Sequence, residues 1–243
     1  MKLSVLIPAH NEEGNIRPTV EALYEELAAC QIDHEIVVIN DNSTDNTEGI
    51  LLSMLQSIPT LQYHNNTPPN GYGFAVRFGL LKITGDCAAI MMADASDSPK
   101  DLVKFYNKLS EGYDAVFGSR FIAGGKAKDY PIHKLILNRL ANNFIRLLFA
   151  ISYNDVTNAF KLYRTETLMG LKPYLSNHFN LTVELPLKAI VRRYSYTVLP
   201  NTWQNRKSGI SKLKIKEMGS RYLFIVLYCL IEKWLSTGDY RKK

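Results

Sequence analysis

The chain has 243 residues, of which 46% are hydrophobic and 21% are charged. At about 150 residues per domain, this length fits one large domain or one domain with an appendage, and it excludes an assembly of three domains. The formal net charge of +6 comes from one end of the chain, because residues 201–243 contain 10 Lys and Arg residues against 3 Asp and Glu residues. This asymmetry predicts an anionic partner at the C-terminal end.

Cysteine usage and hydropathy indicate a cytoplasmic protein. Cys30, Cys87 and Cys229 are an odd number at wide spacing, without a CxxC pair or a Cys/His metal arrangement, so we expect reduced thiols. The first residues, 3–7, already have the pattern of a strand, so we expect no signal peptide. The longest purely apolar run, residues 222–231, is too short to span about 30 Å of hydrocarbon.

Apolar runs and helix-period segments alternate through the first half of the chain. In chain order, we predict a strand at 3–7, a helix at 13–29, a strand at 35–40, a helix at 45–56 and strands at 87–92 and 114–119. Strands rich in Val, Ile and Met without polar alternation are typical of parallel strands covered on both faces. The sequence therefore predicts an α/β fold with a mainly parallel sheet flanked by helices.

The second half of the chain has a different pattern. Residues 135–152 and 215–235 carry long apolar faces interrupted by Arg, Asn and Lys, and a helix is predicted at 181–193. No Pro-, Gly- or Ser-rich linker marks a boundary between domains. We therefore predict one domain over residues 1–212, followed by a basic amphipathic extension over residues 213–243.

Three polar loops follow predicted strands, at residues 8–13, 40–45 and 93–97. Ligands of parallel sheets bind beyond the carboxyl ends of the strands, so these loops should meet at one functional edge. Glu12 and Asp41 form a pair of carboxylates that could grip sugar hydroxyl groups. The alternative is that each carboxylate only stabilises the start of a helix.

The third loop is a candidate metal site. Asp94 and Asp97 flank Ser96, just before Pro99. Closely spaced hard oxygen ligands suit Mg²⁺ or Mn²⁺, which commonly takes one or two protein carboxylates together with diphosphate oxygens. The alternative is capping of the following helix by Asp97 or Ser98.

Candidate anion-binding groups lie in other loops. Gly71 begins a Gly-Tyr-Gly loop before a predicted helix at 74–83, where main-chain N–H groups could approach an anion, although a plain loop is the alternative. Arg120, Arg139 and residues 205–212 supply cations suited to phosphate oxygens. The alternative for each cation is an ordinary solvated surface charge.

Taken in order, seven segments make the chain resemble the family 2 glycosyltransferases of GT-A fold, in particular the dolichol- or polyprenyl-phosphate sugar synthases. They are Pro-Ala-His-Asn-Glu at 8–12, Asn-Asp-Asn-Ser-Thr-Asp at 40–45, Asn-Gly-Tyr-Gly at 70–73, Ala-Asp-Ala-Ser-Asp-Ser-Pro at 93–99, Gly-Ser-Arg-Phe at 118–121, Asp-Val-Thr-Asn-Ala-Phe-Lys at 155–161 and Arg-Lys-Ser-Gly-Ile-Ser-Lys at 206–212. The resemblance implies that residues 1–212 form a GT-A domain.

The resemblance also implies roles for individual residues. The nucleotide-sugar donor would contact Pro8, Glu12, Asp41 and Gly71. The divalent metal, Mg²⁺ or Mn²⁺, would be held by Asp94, Ser96 and Asp97. The catalytic residues would be Asp94, Arg120 and Arg206. The acceptor would contact Ser119, Arg139 and Lys212, with Arg120 and Arg206 also on the acceptor side.

The chain departs from the family pattern at three places. Where the family usually has Asp-x-Asp, this chain has Met92-Ala93-Asp94, so Ser96 or Asp97 is expected to complete the metal shell. The usual Asp-Asp-Gly is Asn-Asp-Asn at 40–42, and Asn-Ala at 158–159 stands where the family often has Gly-Gly.

The type of acceptor decides which chemistry the protein must supply. A hydroxyl acceptor must lose a proton, so it needs a general base, for which Asp97, Asp155 and Glu184 are candidates. A lipid phosphate is already ionised near neutral pH, since its second pKa is ~6, and it needs cations and alignment. The basic second half favours the phosphate.

We therefore predict an inverting glycosyltransferase that moves a sugar from a nucleotide-diphosphate sugar to a polyprenyl phosphate. One alternative is a glycosyltransferase with a glycan or another hydroxyl acceptor. A second alternative, outside the enzymes, is a membrane-associated protein that binds nucleotide sugars without turnover. No nucleic-acid partner is expected.

The C-terminal extension is predicted to lie on an anionic membrane surface, on the cytoplasmic side. An apolar stretch flanked or interrupted by basic residues has the makeup of an interfacial helix. The basic residues are Lys212, Lys214, Lys216, Arg221 and Lys233. The alternative is an apolar face buried against residues 135–152.

Overall fold

The computed structural model describes residues 1–206, 215–236, 238–240 and 242, without the side chains of residues 215–218. Its strands are β1 (Leu3–Ala9), β2 (His34–Asn40), β3 (Leu61–Asn65), β4 (Cys87–Ile90), β5 (Ala115–Ser119), β6 (Lys126–Lys128), β7 (Lys161–Arg164), β8 (Tyr196–Pro200) and β9 (Thr202–Gln204). Its helices are α1 (Ile16–Ala29), α2 (Thr47–Met54), α3 (Tyr72–Gly79), α4 (Pro99–Ser110), α5 (Ile132–Phe149), α6 (Thr165–Gly170), α7 (Leu181–Val191) and α8 (Ile215–Leu235).

Seven of the strands form one sheet, in the order β3-β2-β1-β4-β7-β5-β8. β1 pairs in parallel with β2 and β4, β2 pairs in parallel with β3, and β5 pairs in parallel with β8. β7 runs antiparallel to both of its neighbours, β4 and β5. The predicted α/β class with a mainly parallel sheet is therefore confirmed. A small second sheet pairs β6 with β9.

β7 lies inside the sheet and was not predicted from the sequence. It has four residues, and its ends, Lys161 and Arg164, are charged, so it shows no apolar run. Lys161 is nevertheless buried, because its Nζ atom donates to the carbonyl oxygens of Val156 and Thr182, both at 3.1 Å, and to that of Asn158. Main-chain oxygens thus replace the water that a buried ammonium group loses.

Two apolar cores cover the two faces of the sheet. On one face, Ile7 of β1 belongs to the same cluster as Phe105 of α4. On the other face, Leu6 of β1 belongs to the same cluster as Leu185 of α7 and Ile225 of α8. Burial on both faces explains why the strands carry unbroken apolar runs.

The two long apolar faces identified in the second half, at 135–152 and 215–235, lie on α5 and α8. One side of α8 packs against α7, and its Ile225, Val226, Cys229 and Leu230 are buried in the core of the sheet domain. The helix of the predicted extension therefore contributes to the domain core. The predicted boundary at residue 212 lies outside the described residues. Among the helices that the structure describes, none combines the length and hydropathy needed to cross a membrane.

α5 and α8 also expose apolar side chains, which we call the α5–α8 apolar surface. Its members are Ile132, Ile136, Leu137, Leu140, Phe144 and Leu147 of α5, and Leu223, Phe224, Leu227, Ile231, Trp234 and Leu235 of α8. The helices are in contact, because Lys233 Nζ of α8 donates to the carbonyl oxygen of Phe149 at 2.8 Å. Much of the exposed large apolar area of the described chain therefore lies on two touching helices.

Candidate active site

The carboxyl ends of β1, β2 and β4 lie side by side, and the three polar loops start there. The main-chain N–H of Glu12 donates to Thr47 Oγ1 at 2.9 Å, and that of Asn11 donates to Ser43 Oγ at 3.0 Å. These bonds join the first loop to the second. Because Arg206 also joins Glu12 to Asp94, all three loops meet at one edge, as predicted.

Glu12 is buried at the end of β1, where its main chain and its side chain have separate partners. Its carbonyl oxygen accepts a hydrogen bond from the N–H of Ile16 at 2.8 Å, at the start of α1. Its carboxylate accepts from Asn15 Nδ2 at 2.8 Å through Oε2 and from Arg206 Nη1 at 3.2 Å through Oε1. The side chain is thus directed into the site while the main chain starts the helix.

Asp41 is buried at the end of β2, and both of its carboxylate oxygens have partners. Oδ1 accepts from Asn66 Nδ2 and Oδ2 accepts from the N–H of Gly71, each at 2.8 Å. These bonds tie the loop after β3 to the end of β2. The role of Asn66 was not predicted from the sequence. A donor that contacts Asp41 would meet a carboxylate whose orientation is already fixed.

Gly71 precedes α3 at the same edge. Its φ of 151° favours glycine, and a Cβ atom there would lie 2.8 Å from both the carbonyl oxygen of Asn177 and His178 Nδ1. Its own N–H donates to Asp41, so an anion would have to use other N–H groups of this loop. Pro8, another predicted donor contact, is buried within β1 and lies in the sheet behind the loops.

Asp94, Ser96 and Asp97 are buried together after β4. Asp94 Oδ1 accepts from the N–H of Ser96 at 3.2 Å, and Oδ2 accepts from Arg206 Nη2 at 2.7 Å. Ser96 Oγ and Asp97 Oδ2 are buried without a hydrogen-bond partner among the described residues. Burial, followed by the nearby Asp94 carboxylate, raises the pKa of Asp97 to about 7. Buried polar atoms without partners are uncommon, so these oxygens are candidates for ligand binding.

This donor set fits Mg²⁺ or Mn²⁺, because all three side chains offer hard oxygen ligands. The alternative of helix capping holds for Ser98, which is the N-cap residue of α4, although no side-chain cap bond forms there within the described chain. The described residues contain no group of three or more His, Cys, Asp and Glu side chains able to hold a metal ion. A metal at Asp94 would take further ligands from a diphosphate or water, as Mg²⁺ commonly does.

Arg120 follows β5 and is buried in a bidentate pair with Asp155. Its Nε donates to Asp155 Oδ2 at 2.8 Å, and its Nη2 donates to Oδ1 at 2.7 Å. Burial opposes the charge of Arg120, but the fully buried Asp155 outweighs it and raises the pKa of Arg120. The ring centres of Phe121, Tyr130 and Trp203 lie 5.4, 5.4 and 5.8 Å from the guanidinium carbon. The guanidinium group is therefore held in one orientation.

Arg139 and Ser119 lie beside this pair. The guanidinium carbon of Arg139 is 4.3 Å from the centre of the Phe121 ring, so Arg120 and Arg139 both lie over the same ring. Ser119 is fully buried, and its hydroxyl donates to Asn154 Oδ1 at 2.6 Å. Ser119, a predicted acceptor contact, thus positions Asn154 and has no exposed surface to offer a ligand.

Arg206 lies just beyond β9 and bridges Glu12 and Asp94. The resemblance implied that Arg206 lies on the acceptor side, whereas the structure places its guanidinium group between Glu12 and Asp94, for which the resemblance implied a role on the donor side. The prediction for Lys212 concerns a residue outside the described part of the chain.

Trp203 connects the two sides of the site and was not predicted from the sequence. It forms an isolated bridge with Asp97, and its ring centre lies 4.9 Å from that of Tyr130. Its ring also lies over Arg120. β9 has three residues, too few for a periodic pattern, so the only available signal was a tryptophan close to the basic segment.

Two of the three candidate general bases are occupied by cations. Asp155 is paired with Arg120, as described above. Glu184 of α7 is fully buried, pairs with Lys188 Nζ at 2.6 Å and accepts from the N–H groups of Leu175 and Ser176. Within the described residues, Asp97 is the candidate that keeps an oxygen without a partner.

Two solved structures share this architecture. Glucosyl-3-phosphoglycerate synthase from Mycobacterium tuberculosis, in complex with Mn²⁺, UDP and phosphoglyceric acid, matches 96% of this chain and 78% of its own with a TM-score of 0.68 at 17% identity. TarS 1–349 from S. aureus, in complex with UDP-GlcNAc, matches 97% of this chain and 68% of its own with a TM-score of 0.68 at 17% identity. The fold is therefore the GT-A fold, as predicted.

The chain belongs to glycosyl transferase family 2, whose family model matches residues 4–171. It is 28% identical over 215 residues to polyprenol monophosphomannose synthase of Mycolicibacterium smegmatis, which covers 86% of this chain and 80% of that protein. It is 29% identical over 221 residues to dolichol-phosphate mannosyltransferase of Pyrococcus furiosus, which covers 89% of this chain. The chain spans 60% of the length of the Pyrococcus protein. The predicted family resemblance and the enzyme class, a glycosyltransferase, are confirmed.

Proposed function

We propose that the protein transfers a sugar from a nucleotide-diphosphate sugar to a polyprenyl phosphate, with inversion at the anomeric carbon. The observation that carries this proposal is the pair of relatives aligned over 86% and 89% of this chain, which are named polyprenol monophosphomannose synthase and dolichol-phosphate mannosyltransferase. The geometry of the site supports it on both the donor side and the acceptor side.

On the donor side, Glu12 and Asp41 would hold the nucleoside, because both are buried carboxylates at neighbouring strand ends. Asp94, Ser96 and Asp97 would hold Mg²⁺ or Mn²⁺. A metal bound there supplies positive charge for the leaving diphosphate. The contribution of the chain is to bury these oxygens in one loop at the edge of the sheet.

On the acceptor side, Arg120 and Arg139 would bind the phosphate. A phosphate oxygen forms the new bond to the anomeric carbon, and the bond from that carbon to the diphosphate oxygen breaks, with its electron pair leaving on the diphosphate. The phosphate is already ionised near neutral pH, so no general base is required. The pairing of Asp155 and Glu184 with cations supports this chemistry.

We also propose that the protein is peripheral on the cytoplasmic face of a membrane, with the α5–α8 apolar surface at the interface. Leu147 is 85% exposed and Leu235 is 80% exposed. Exposure of these side chains is unfavourable in water, whereas their burial at the headgroup–acyl boundary of a bilayer is favourable. The sequence offered membrane docking and burial against residues 135–152 as alternatives for the C-terminal helix. One side of α8 is buried against α7, and its other side is exposed, which leaves that side available to a membrane.

A hydroxyl acceptor is the second candidate, and one observation favours it. Asp97 keeps a buried oxygen without a partner in the described chain, and its pKa is raised to about 7 by burial and by Asp94. A general base works best with a pKa near the operating pH. In this alternative, Asp97 would accept the proton of the attacking hydroxyl group.

The proposal is tested by incubating the purified protein with a panel of nucleotide sugars, Mn²⁺ and a polyprenyl phosphate, and by analysing the lipid by mass spectrometry. We expect a lipid product heavier by one sugar. Matched reactions contain the unphosphorylated polyprenol or a free glycan. Transfer to either of these acceptors without transfer to the phosphate would contradict the proposal and favour the hydroxyl alternative.

A further inference from the structure

A cation of the chain itself lies between two donor-side carboxylates. Arg206 Nη2 is 2.7 Å from Asp94 Oδ2, and Arg206 Nη1 is 3.2 Å from Glu12 Oε1. Glu12 follows β1 and Asp94 follows β4, so one guanidinium group links the loops of two adjacent strands. The side chain of Arg206 is 16% exposed, that of Glu12 is 9% exposed and that of Asp94 is 7% exposed. Bulk salt therefore screens their interactions only weakly.

Arg206 and a divalent metal compete for the carboxylate of Asp94. Oδ1 already accepts from the N–H of Ser96, and Oδ2 is occupied by Arg206. Where the family usually has a further carboxylate, this chain has Met92. Asp94 is therefore the carboxylate that Arg206 and the proposed metal share.

The charges around Arg206 favour joint entry of metal and donor. A metal that entered alone would place its two positive charges beside that of Arg206, at the same carboxylate of Asp94. The diphosphate of a nucleotide sugar adds about two negative charges. The planar guanidinium group is well suited to binding phosphate oxygens through two N–H donors. The donor therefore offers Arg206 a new anionic partner at the moment when the metal needs Asp94.

We propose that Arg206 and the divalent metal bind Asp94 in alternation. Arg206 holds the carboxylate while the donor is absent, and the metal binds together with the donor, whose diphosphate takes over the guanidinium group. Arg206 is then a positioning residue of the donor side that keeps metal alone out of the site. This inference depends on the proposed metal site at Asp94.

The test measures Mn²⁺ binding by electron paramagnetic resonance, first without nucleotide and then with UDP or GDP. Wild type should bind Mn²⁺ weakly alone and much more tightly with a nucleoside diphosphate. Arg206→Met, which keeps the length and removes the charge, should bind Mn²⁺ alone at least tenfold more tightly than wild type. It should also gain less from the nucleotide.

Three further variants control the measurement. Arg206→Lys retains the positive charge and should bind Mn²⁺ alone as weakly as wild type. Asp94→Asn in the Arg206→Met background should lose the gain in affinity. Arg206→Gln is a second neutral variant, used if Arg206→Met does not fold by circular dichroism.

Two results would overturn the proposal in distinguishable ways. If Mn²⁺ binds wild type with a nucleoside diphosphate, but the neutral variants bind Mn²⁺ alone no more tightly than wild type, the alternation is wrong and the metal site stands. If Mn²⁺ binds none of these proteins under any condition, the proposed metal site is wrong, and the alternation is wrong with it.

Discussion

At the scale of single residues, the buried pair of Arg120 and Asp155 should contribute strongly to the stability of the fold. Asp155→Asn would keep the shape of the side chain and leave the buried guanidinium group without a counter-charge. We expect a loss of about 3 to 5 kcal/mol in the free energy of unfolding, the usual cost of breaking a buried pair from one side. Chemical denaturation measures it.

The control for this prediction is Glu21→Gln, which breaks the exposed pair with Arg17. An exposed pair of this kind is worth less than about 1 kcal/mol. Equal stabilities of Asp155→Asn and the control variant would refute the importance of the buried pair.

A second prediction at this scale concerns the contribution of Asp94 to turnover. Asp94→Asn removes the carboxylate charge that the proposed metal requires, without changing the volume of the side chain. We expect turnover to fall about 100-fold or more, the loss typical of removing one electrostatic contribution to a transition state. Asp33→Asn, at an exposed position, is the matched control.

Activity assays with Mn²⁺ or Mg²⁺, and with EDTA, check the Asp94 prediction. Full activity of Asp94→Asn in EDTA would show that the reaction does not use a metal at this residue. Thermal unfolding of the two variants would show whether a lower activity reflects a loss of fold.

The meeting of three carboxylates at one edge of the sheet could be predicted from the sequence, whereas their partners could not. Glu12, Asp41 and Asp94 each follow an apolar strand, and the ends of neighbouring parallel strands must meet. Arg206, by contrast, is 194 residues from Glu12 and 112 residues from Asp94 along the chain. Local patterns carry no information on which distant loop folds back to a strand end.

At the scale of elements, predictability followed the length of the apolar pattern. The apolar face identified at 215–235 lies on α8, which ends at Leu235, because its apolar residues recur over 21 positions. β7 and β9 have four and three residues, so no period is visible in either. Their places are fixed by pairing with distant strands and by buried contacts such as those of Lys161.

The prediction at the scale of elements is that the α5–α8 apolar surface binds lipid vesicles. Wild type should sediment with vesicles that contain anionic lipid at low ionic strength and be released in part by high salt, since each Lys or Arg near the leaflet contributes about 1 kcal/mol. The double variant Leu140→Glu with Phe224→Glu places two charges on the surface. It should bind several-fold less at the same lipid concentration.

Leu81→Glu is the matched control, because Leu81 is an exposed leucine on neither helix. It should bind vesicles as wild type does. A wild-type protein that stays in the supernatant at both salt concentrations would rule out docking, and equal binding of the double variant and wild type would place the contact elsewhere.

At the scale of the whole molecule, Glu35 ties together the edge of the sheet opposite the site. Its carboxylate accepts hydrogen bonds from Lys2 Nζ at 2.7 Å, Ser4 Oγ at 2.6 Å and the N–H of Thr84 at 2.6 Å. Burial disfavours its charge, but these bonds outweigh burial and lower the pKa of Glu35 to about 2. Three chain segments are thus joined by one charged group.

The sign of the pKa change gives a prediction for stability against pH. A folded pKa of about 2, below the ordinary value of 4.5, means that Glu35 stabilises the fold above pH 4.5 and loses this contribution as the pH falls towards 2. Glu35→Gln should lower the free energy of unfolding at pH 7 by about 1.5 to 3 kcal/mol, the value of a hydrogen bond to a charged group.

Urea denaturation from pH 7 down to pH 2 measures this difference for Glu35→Gln and for Glu25→Gln, at an exposed position of α1. The difference between wild type and Glu35→Gln should shrink below pH 4.5, while Glu25→Gln stays close to wild type throughout. A difference that is independent of pH would contradict the pKa of Glu35.

The central place of β7 also governs how the molecule can assemble during synthesis. A nascent chain that has emerged as far as the end of β5, at Ser119, contains β4 and β5 but not the strand that joins them. Its β4, Cys-Ala-Ala-Ile, then presents an unpaired apolar edge, which is a template for aggregation. The sheet remains in two pieces until residues 161–164 emerge, so its closure is a late and non-local step, and the growing chain depends on protection of that edge until then.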